Sequence, residues 1–137
     1  MKIFLAQQNY HIGNFESNTN KIIEAVEQAK QQGGDIIMFS ELSICGYPPR
    51  DFLEFDDFLN KCNESIDKIK EHADTIAVIV GAPDKNKRVE GKDLHNAAYF
   101  LYEKEIKAIA IKHACLLTMC LMSTVILNRL MTGTSFN

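Results

Sequence analysis

The chain has 137 residues, 46% hydrophobic and 24% charged, with a formal net charge of −3, which is typical of one globular domain. This charge gives no basic footprint of the kind typical of nucleic-acid binding, and no apolar run is long enough for a signal peptide or a spanning helix. We therefore expect no nucleic-acid and no membrane partner. The four cysteines lack zinc or C-x-x-C spacing, so reduced thiols and a cytoplasmic location are expected.

Predicted strands and helices alternate along the chain. Short apolar runs such as IIMF indicate strands, and apolar residues that recur every 3.6 positions indicate helices. Ser17 or Asn18 is the predicted N-cap of the first helix, and His95 and Asn96, at the start of a later strand, are interpreted as structural. The predicted elements are a strand over 2–7, a helix over 17–32, a strand over 36–39, a loop over 45–51, a helix over 52–72, a strand over 75–81, a loop over 84–93, and two strands over 95–110. The order β-α-β-α-β-β-β predicts a layered α/β domain.

The carboxylate of Glu41 follows the apolar run IIMF at the end of a predicted central strand. Sites in α/β folds lie at the carboxyl ends of the strands, where a glutamate can act as a general base. Two other interpretations stay open, an ion pair with Arg50 and a cap on a neighbouring helix. The loop that follows favours a pocket, because Gly46 allows close backbone approach, two prolines stiffen the chain, and Tyr47 offers a ring and a hydroxyl.

The segment FSELSICGYPPRDFL, residues 39–53, resembles the glutamate segment of the nitrilase, or carbon–nitrogen hydrolase, superfamily. Within that superfamily, ELSICGYPPRDFL is most similar to the glutaminase domain of glutamine-dependent NAD synthetases. The resemblance continues through LAQQNYHIGNFESNTNKI, VIVGAP and LHNAAYFLYEKEI, and so covers residues 1–110. It implies that this part is the first half of a nitrilase-like α-β-β-α sandwich.

The family uses a Glu–Lys–Cys triad, and the resemblance carries two of these roles onto this sequence. Glu41 matches the general base, and Lys112 stands where the family keeps the lysine that stabilises the tetrahedral intermediate. The context of Lys112, AIAIKHACLL, departs from the family's H-K-x-x-L-P-T. Tyr47 is expected to contact substrate. No cysteine of this chain lies in the nucleophile motif, Cys45 is interpreted as a core or loop thiol, and the histidine spacing predicts no metal site.

The resemblance implies a fragment of the ammonia-supplying glutamine amidohydrolase domain of a glutamine-dependent NAD synthetase. Such a fragment is expected to be inactive alone, because the nucleophilic cysteine segment is missing, and to bind no cofactor. Glutamine is the implied substrate of the complete domain, ATP and magnesium serve a separate synthetase domain, and the full-length family member is expected to be a homo-oligomer. The alternatives are another carbon–nitrogen hydrolase (an amidase or carbamoylase), a non-catalytic truncated or pseudo-enzyme module, and a flavodoxin-like binding module, which leaves GYPPRD unexplained.

Residues 111–137 differ from the rest of the chain because they contain none of its 18 acidic residues. If one nucleotide is missing before codon 111, reverse translation re-reads this tail as HKACLPTYDVFDEYRYFEPANDWNVIQ. That string carries the family pattern H-K-x-x-L-P-T. We therefore predict a division into residues 1–110, the hydrolase part, and 111–137, an aberrant tail translated in the wrong frame. The alternative for the tail is one buried or interfacial helix.

Overall fold

The computed structural model of the protein describes residues 1–85 and 94–111. Within these residues the predicted alternation of strands and helices is confirmed. The elements are β1 Ile3–Leu5, α1 Phe15–Gln31, β2 Ile36–Met38, a 3-10 helix Arg50–Glu54, α2 Asp56–His72, β3 Ala77–Lys85, β4 Leu94–Tyr102 and β5 Glu105–Ile111. Lys112 and the rest of the predicted aberrant tail lie outside the described residues.

Both predicted helices begin differently from the sequence expectation. The side chain of Asn14, not that of Ser17 or Asn18, caps α1 by accepting a hydrogen bond from the Ser17 N–H at 3.2 Å, so the helix starts at Phe15. The second helix is not continuous from residue 52, because Phe55 has extended backbone angles of φ −94° and ψ 121° between the 3-10 helix and α2. That break ends the loop after β2 and orients α2.

The five strands form one sheet in the order β1-β2-β3-β4-β5. The first three strands are parallel and are connected by α1 and α2, whereas β4 and β5 are antiparallel to their neighbours. Because crossovers between parallel strands are right-handed, strands added in one direction place both helices on the same face. Strand β3 extends through Lys85, beyond the predicted loop start at residue 84, because it pairs with β4 as far as Leu94.

The main core lies between the two helices and one face of the sheet. Along β3, Val78 and Val80 belong to this core, while Ala77 and Ile79 belong to a smaller cluster, as the two-residue period of a strand requires. The buried helix residues in the main core are Ile22, Val26, Ala29, Phe58, Cys62, Ile66 and Ile69. Among the described residues, neither helix has the length and apolar character needed to cross a bilayer.

Candidate functional site

The loop after β2 carries Glu41 to the carboxyl end of the parallel strands. The N–H of Phe39 still donates to the carbonyl of Ile79 on β3, at 2.9 Å. The chain then turns over residues 41–45 and returns to β3, where the N–H of Ile44 donates to the carbonyl of Gly81 at 3.4 Å. Glu41 opens this turn and is half-buried, at the place where α/β sheets hold their sites.

Gly81 allows the Glu41 turn to lie directly against β3. A Cβ at residue 81 would stand 2.6 Å from the backbone N of Leu42 and 3.1 Å from the Cα of Glu41. The first distance is too short for two non-bonded atoms, and the second is at the lower limit. A side chain at residue 81 would therefore displace the turn. Leu42 itself has a φ of +51°, in the left-handed region that a non-glycine residue rarely adopts. The close approach at Gly81 therefore helps to determine where Glu41 lies.

The side chain of Asn96 contacts Glu41 from β4, with Nδ2 donating a hydrogen bond to Oε1. Asn96 pairs with Pro83 on β3, so the Glu41 carboxylate reaches across β3 to the next strand. The sequence interpretation of Asn96 as merely structural missed this contact. The open alternative of an ion pair with Arg50 is not supported, because Arg50 is exposed and no such pair occurs within residues 1–85 and 94–111.

The second half of the loop is fixed from the other side by the segment that leads into α1. Asn18 on α1 is fully buried, and its Nδ2 donates to the carbonyls of His11 and Ile44, at 2.8 and 3.0 Å. Gly46 has a φ of +81°, and a Cβ there would lie 2.7 Å from the backbone N of Ile12. The loop therefore packs against β3 on one side and against the residues that precede α1 on the other.

The other predicted site residues have different outcomes. Tyr47 lies in the same loop with 68% of its surface exposed, so its ring is available to a molecule approaching this end of the sheet. Lys112 lies outside the described residues, and its proximity to Glu41 stays a prediction. The roles assigned to Glu41 and Tyr47 also stay predictions, because the geometry is compatible with them but does not test them.

Cys45 and Cys62 are buried free thiols in the main core. The hydrogen bond with Cys45, together with burial, raises the pKa of the Cys62 thiol well above its usual value. The structure places Cys45 in the core, in agreement with its interpretation as a core or loop thiol. In the described part of the chain, no three His, Cys, Asp or Glu side chains are grouped as metal ligands.

A sequence model of the carbon-nitrogen hydrolase family matches residues 2–115. A similar curated protein is the glutamine-dependent NAD(+) synthetase of Aquifex aeolicus, which is 35% identical over 115 residues. The match covers 82% of this chain and 19% of that protein. The chain therefore spans about a fifth of the length of the curated relatives it matches.

Solved structures with the same architecture include two kinds of protein. The glutamine-dependent NAD+ synthetase from Acinetobacter baumannii superposes with a TM-score of 0.73 at 32% identity, over 81% of this chain and 20% of that one. An amidase from Nesterenkonia sp. superposes with a TM-score of 0.67 at 21% identity, over 82% of this chain and 42% of that one. The amidase likeness concerns the fold alone. Together these matches confirm the predicted partial nitrilase-like α/β fold.

Proposed function

Because the chain belongs to the carbon-nitrogen hydrolase family, we propose that residues 1–110 form the N-terminal part of the glutamine amidohydrolase domain of a glutamine-dependent NAD synthetase. In this proposal the complete domain cleaves the side-chain amide of glutamine and supplies ammonia to a separate synthetase domain. The observation that carries the proposal is the 35% identity over 115 residues with a relative of that name. A match of that length within 137 residues necessarily includes Glu41.

Glu41 is the proposed general base. It accepts the proton of a cysteine thiol, and the resulting thiolate attacks the amide carbon of glutamine. Protonated Glu41 returns this proton to the leaving nitrogen as the tetrahedral intermediate collapses, which releases ammonia and leaves a thioester. Water then hydrolyses the thioester to glutamate and the free thiol. The half-buried position of Glu41 at the strand ends, and its hydrogen bond from Asn96, support this role because a general base must be held within reach of the proton.

Lys112 and Tyr47 are the other two residues that this chain is proposed to contribute to the site. Lys112 falls within the span 2–115 that matches the family, and its ammonium group would stabilise the charge of the tetrahedral intermediate. Tyr47, with its exposed ring on the Glu41 loop, would line the side of the pocket that admits glutamine. The complete protein is proposed to be a homo-oligomer, as the family resemblance implies.

The proposed nucleophile is none of the four cysteines in this sequence. Cys45 and Cys62 have no exposed surface, and none of the four lies in the family's cysteine motif. The 137 residues alone are therefore expected to release no ammonia. ATP and magnesium belong, in this proposal, to the synthetase domain, and the described residues do not fit a magnesium site because they group no three candidate ligands.

Reconstitution tests this function. The 137-residue chain would be co-purified with the remainder of the glutaminase domain of the Aquifex aeolicus relative, which supplies the segment that follows the matched stretch. We expect ammonia release from glutamine that exceeds release from acetamide and from an N-carbamoyl amino acid. Preference for either of those amides would favour the amidase or carbamoylase alternative.

The matched variants are Glu41→Gln and Glu64→Gln. Both remove one carboxylate, but Glu64 is exposed on α2 and belongs to no proposed site. We expect the first variant to abolish ammonia release and the second to leave it unchanged. Full activity of Glu41→Gln would overturn the assignment of the base.

For residues 111–137 we propose translation in the wrong reading frame. Lysine falls at position 112 in both readings, so the proposed role of Lys112 is the same in either one. The support is the absence of acidic residues together with the family pattern that appears when the tail is re-read. Sequencing the gene across codons 108–114 and aligning it with genes of close relatives tests this. We expect one missing nucleotide; an uninterrupted alignment in frame would exclude the proposal.

A further inference from the structure

The hydrogen bond between Asn96 and Glu41 joins two strands that are not neighbours in the sheet. Glu41 follows β2, Asn96 lies on β4, and β3 runs between them. Along β4, Asn96 shares a face with Ala98 and Phe100, whereas Ala97 and Tyr99 face the helix side. The Asn96 side chain therefore points to the face opposite the helices, where it meets the carboxylate.

The backbone under this contact is arranged so that the carboxylate can reach Asn96. Gly81 pairs with Ala98, and the Glu41 turn lies against Gly81 with no side chain between them. Ala98, the next residue of β4 on the same face as Asn96, has a small side chain. Asn96 is itself half-buried, which limits competition from water for its amide.

The chemistry of an amide suits this position better than that of a cation. Asn96 is neutral at every physiological pH, so it can orient the carboxylate without neutralising its charge. An arginine or lysine in its place would favour the charged carboxylate strongly and weaken it as a base. One amide donor occupies part of one carboxylate oxygen, and a carboxylate has about four lone-pair sites in total. The Asn96 N–H therefore uses only one of those sites.

We propose that Asn96 is a positioning residue that holds the Glu41 carboxylate in the orientation needed for proton transfer. The inference rests on the proposed function, since it assigns Asn96 a part in the action of the same base. Asn96 touches neither substrate nor nucleophile in this proposal and acts only through Glu41.

Kinetics of the reconstituted domain test the inference. The variants are Asn96→Ala and, as the matched control, Asn63→Ala on the exposed face of α2. We expect Asn96→Ala to lower kcat for glutamine by about 100-fold, the cost of a misplaced catalytic group, with KM nearly unchanged. The control should change neither constant. An unchanged kcat in Asn96→Ala, with Glu41→Gln inactive, would overturn the role of Asn96 and leave the proposed function intact.

Two further substitutions of Asn96 distinguish a positioning role from a general structural role. Asn96→Asp places a second carboxylate opposite Glu41, so kcat should fall at least as far as in Asn96→Ala. Asn96→Ser keeps a hydroxyl donor, and we expect it to recover part of kcat although it packs no better than alanine. Equal kcat values for the serine and alanine variants would contradict the inference.

A measurement on the 137-residue chain alone needs no activity. The side-chain amide resonances of Asn96 should move when Glu41 is replaced by Ala and should stay in place when Glu64 is replaced by Ala. If the chemical shifts of the Asn96 side-chain amide do not change in Glu41→Ala, the contact is absent in solution. That result would exclude the inference whatever the kinetics of the reconstituted domain.

Discussion

At the scale of single residues, Gly81 decides how closely the Glu41 turn can approach the sheet. The backbone N of Leu42 lies where a side-chain carbon at residue 81 would be, at 2.6 Å. Backbone atoms cannot move aside as a flexible side-chain end can, so any larger residue must push the whole turn away. The cost of such overpacking is typically about 1–3 kcal/mol.

We predict that Gly81→Ala lowers the free energy of unfolding by about 2 kcal/mol and weakens the Asn96–Glu41 contact. Urea unfolding of the 137-residue chain measures the first effect. The control is Gly33→Asn, because a Cβ at Gly33 meets nothing within 4 Å and asparagine tolerates its positive φ of +70°. Similar losses in both variants would contradict the steric argument.

At the scale of elements, α1 is connected to the functional loop by the buried side chain of Asn18. Its amide donates to His11 and Ile44, and its Oδ1 accepts from the N–H of His11 at 3.0 Å. Removing this side chain would leave the buried carbonyl of Ile44 without the Asn18 donor, at about 1–3 kcal/mol for an unsatisfied buried group, whereas the carbonyl of His11 still accepts from the N–H of Asn14 at 3.2 Å. The helix and the Glu41 loop are therefore expected to lose stability together.

We predict that Asn18→Ala costs about 3 kcal/mol of unfolding free energy, whereas Asn20→Ala costs little. Both changes replace an asparagine on α1, but Asn20 is exposed and Asn18 is not. Chemical unfolding of the two variants is the measurement. Equal stabilities would show that the three hydrogen bonds of the Asn18 side chain contribute no net stability.

The ends of α1 and α2 are joined by a group of charged side chains. The Nζ of Lys30 lies 3.1 Å from Oε1 of Glu27 and 2.7 Å from Oδ1 of Asp74. The same Oε1 of Glu27 is hydrogen-bonded to Nδ1 of His72 at 2.8 Å. The hydrogen bonds with His72 and Lys30 lower the pKa of Glu27 below its usual value. Lys30, and then the N–H of Thr75, lower the pKa of Asp74. A carboxylate with a lowered folded-state pKa stabilises the protein above its unfolded pKa, and that contribution is lost as the pH falls through the folded value.

We predict that Lys30→Met reduces the loss of stability between neutral pH and about pH 3, because it removes the partner of both carboxylates. The change is expected to be small, since the side chains of Glu27 and Asp74 are 43% and 45% exposed and solvent screens their interactions with Lys30. Urea midpoints at the two pH values measure it. Lys68→Met, on the exposed face of α2, is the control and should keep the wild-type acid dependence; an identical dependence in Lys30→Met would exclude the argument.

At the scale of the whole molecule, apolar side chains are exposed at both edges of the sheet. On β1, Leu5 is 73% exposed, and on β5, Ile109 is 42% exposed. Within the described residues, β5 pairs with β4 alone, so its other edge has no strand partner there. Unpaired edges with apolar side chains promote association between copies of a chain.

We predict that the 137-residue chain self-associates and that Ile109→Lys reduces this association. A lysine on an edge strand opposes pairing with a second edge. Sedimentation over a range of concentrations is the measurement, and Asn63→Lys on α2 is the control that adds the same charge elsewhere. A wild-type chain that stays monomeric at every concentration would contradict the prediction.

The sequence by itself determined the elements, their order and the place of Glu41 at a strand end. The physical reason is that these features depend on contiguous residues. Each of these signals lies within a short stretch of the chain. They are the apolar run IIMF, the helical period of α1 and α2, and the two glycines after α1. The family resemblance is also carried by a continuous segment, 39–53, and so was visible without any tertiary information. The start of α1 was not determined in this way, because Asn14, Ser17 and Asn18 all have side chains that can cap a helix and the structure uses Asn14.

Only the tertiary structure decided which residues meet Glu41. Asn96 is 55 positions away in sequence, and the contact exists because β3 lies between β2 and β4 in one particular register. Gly81 and Asn18 likewise have their roles through strand pairing and helix packing, and no local pattern distinguishes them from other glycines and asparagines. Contacts between distant segments depend on strand order, register and helix placement together, which the local periodicity of a sequence does not specify.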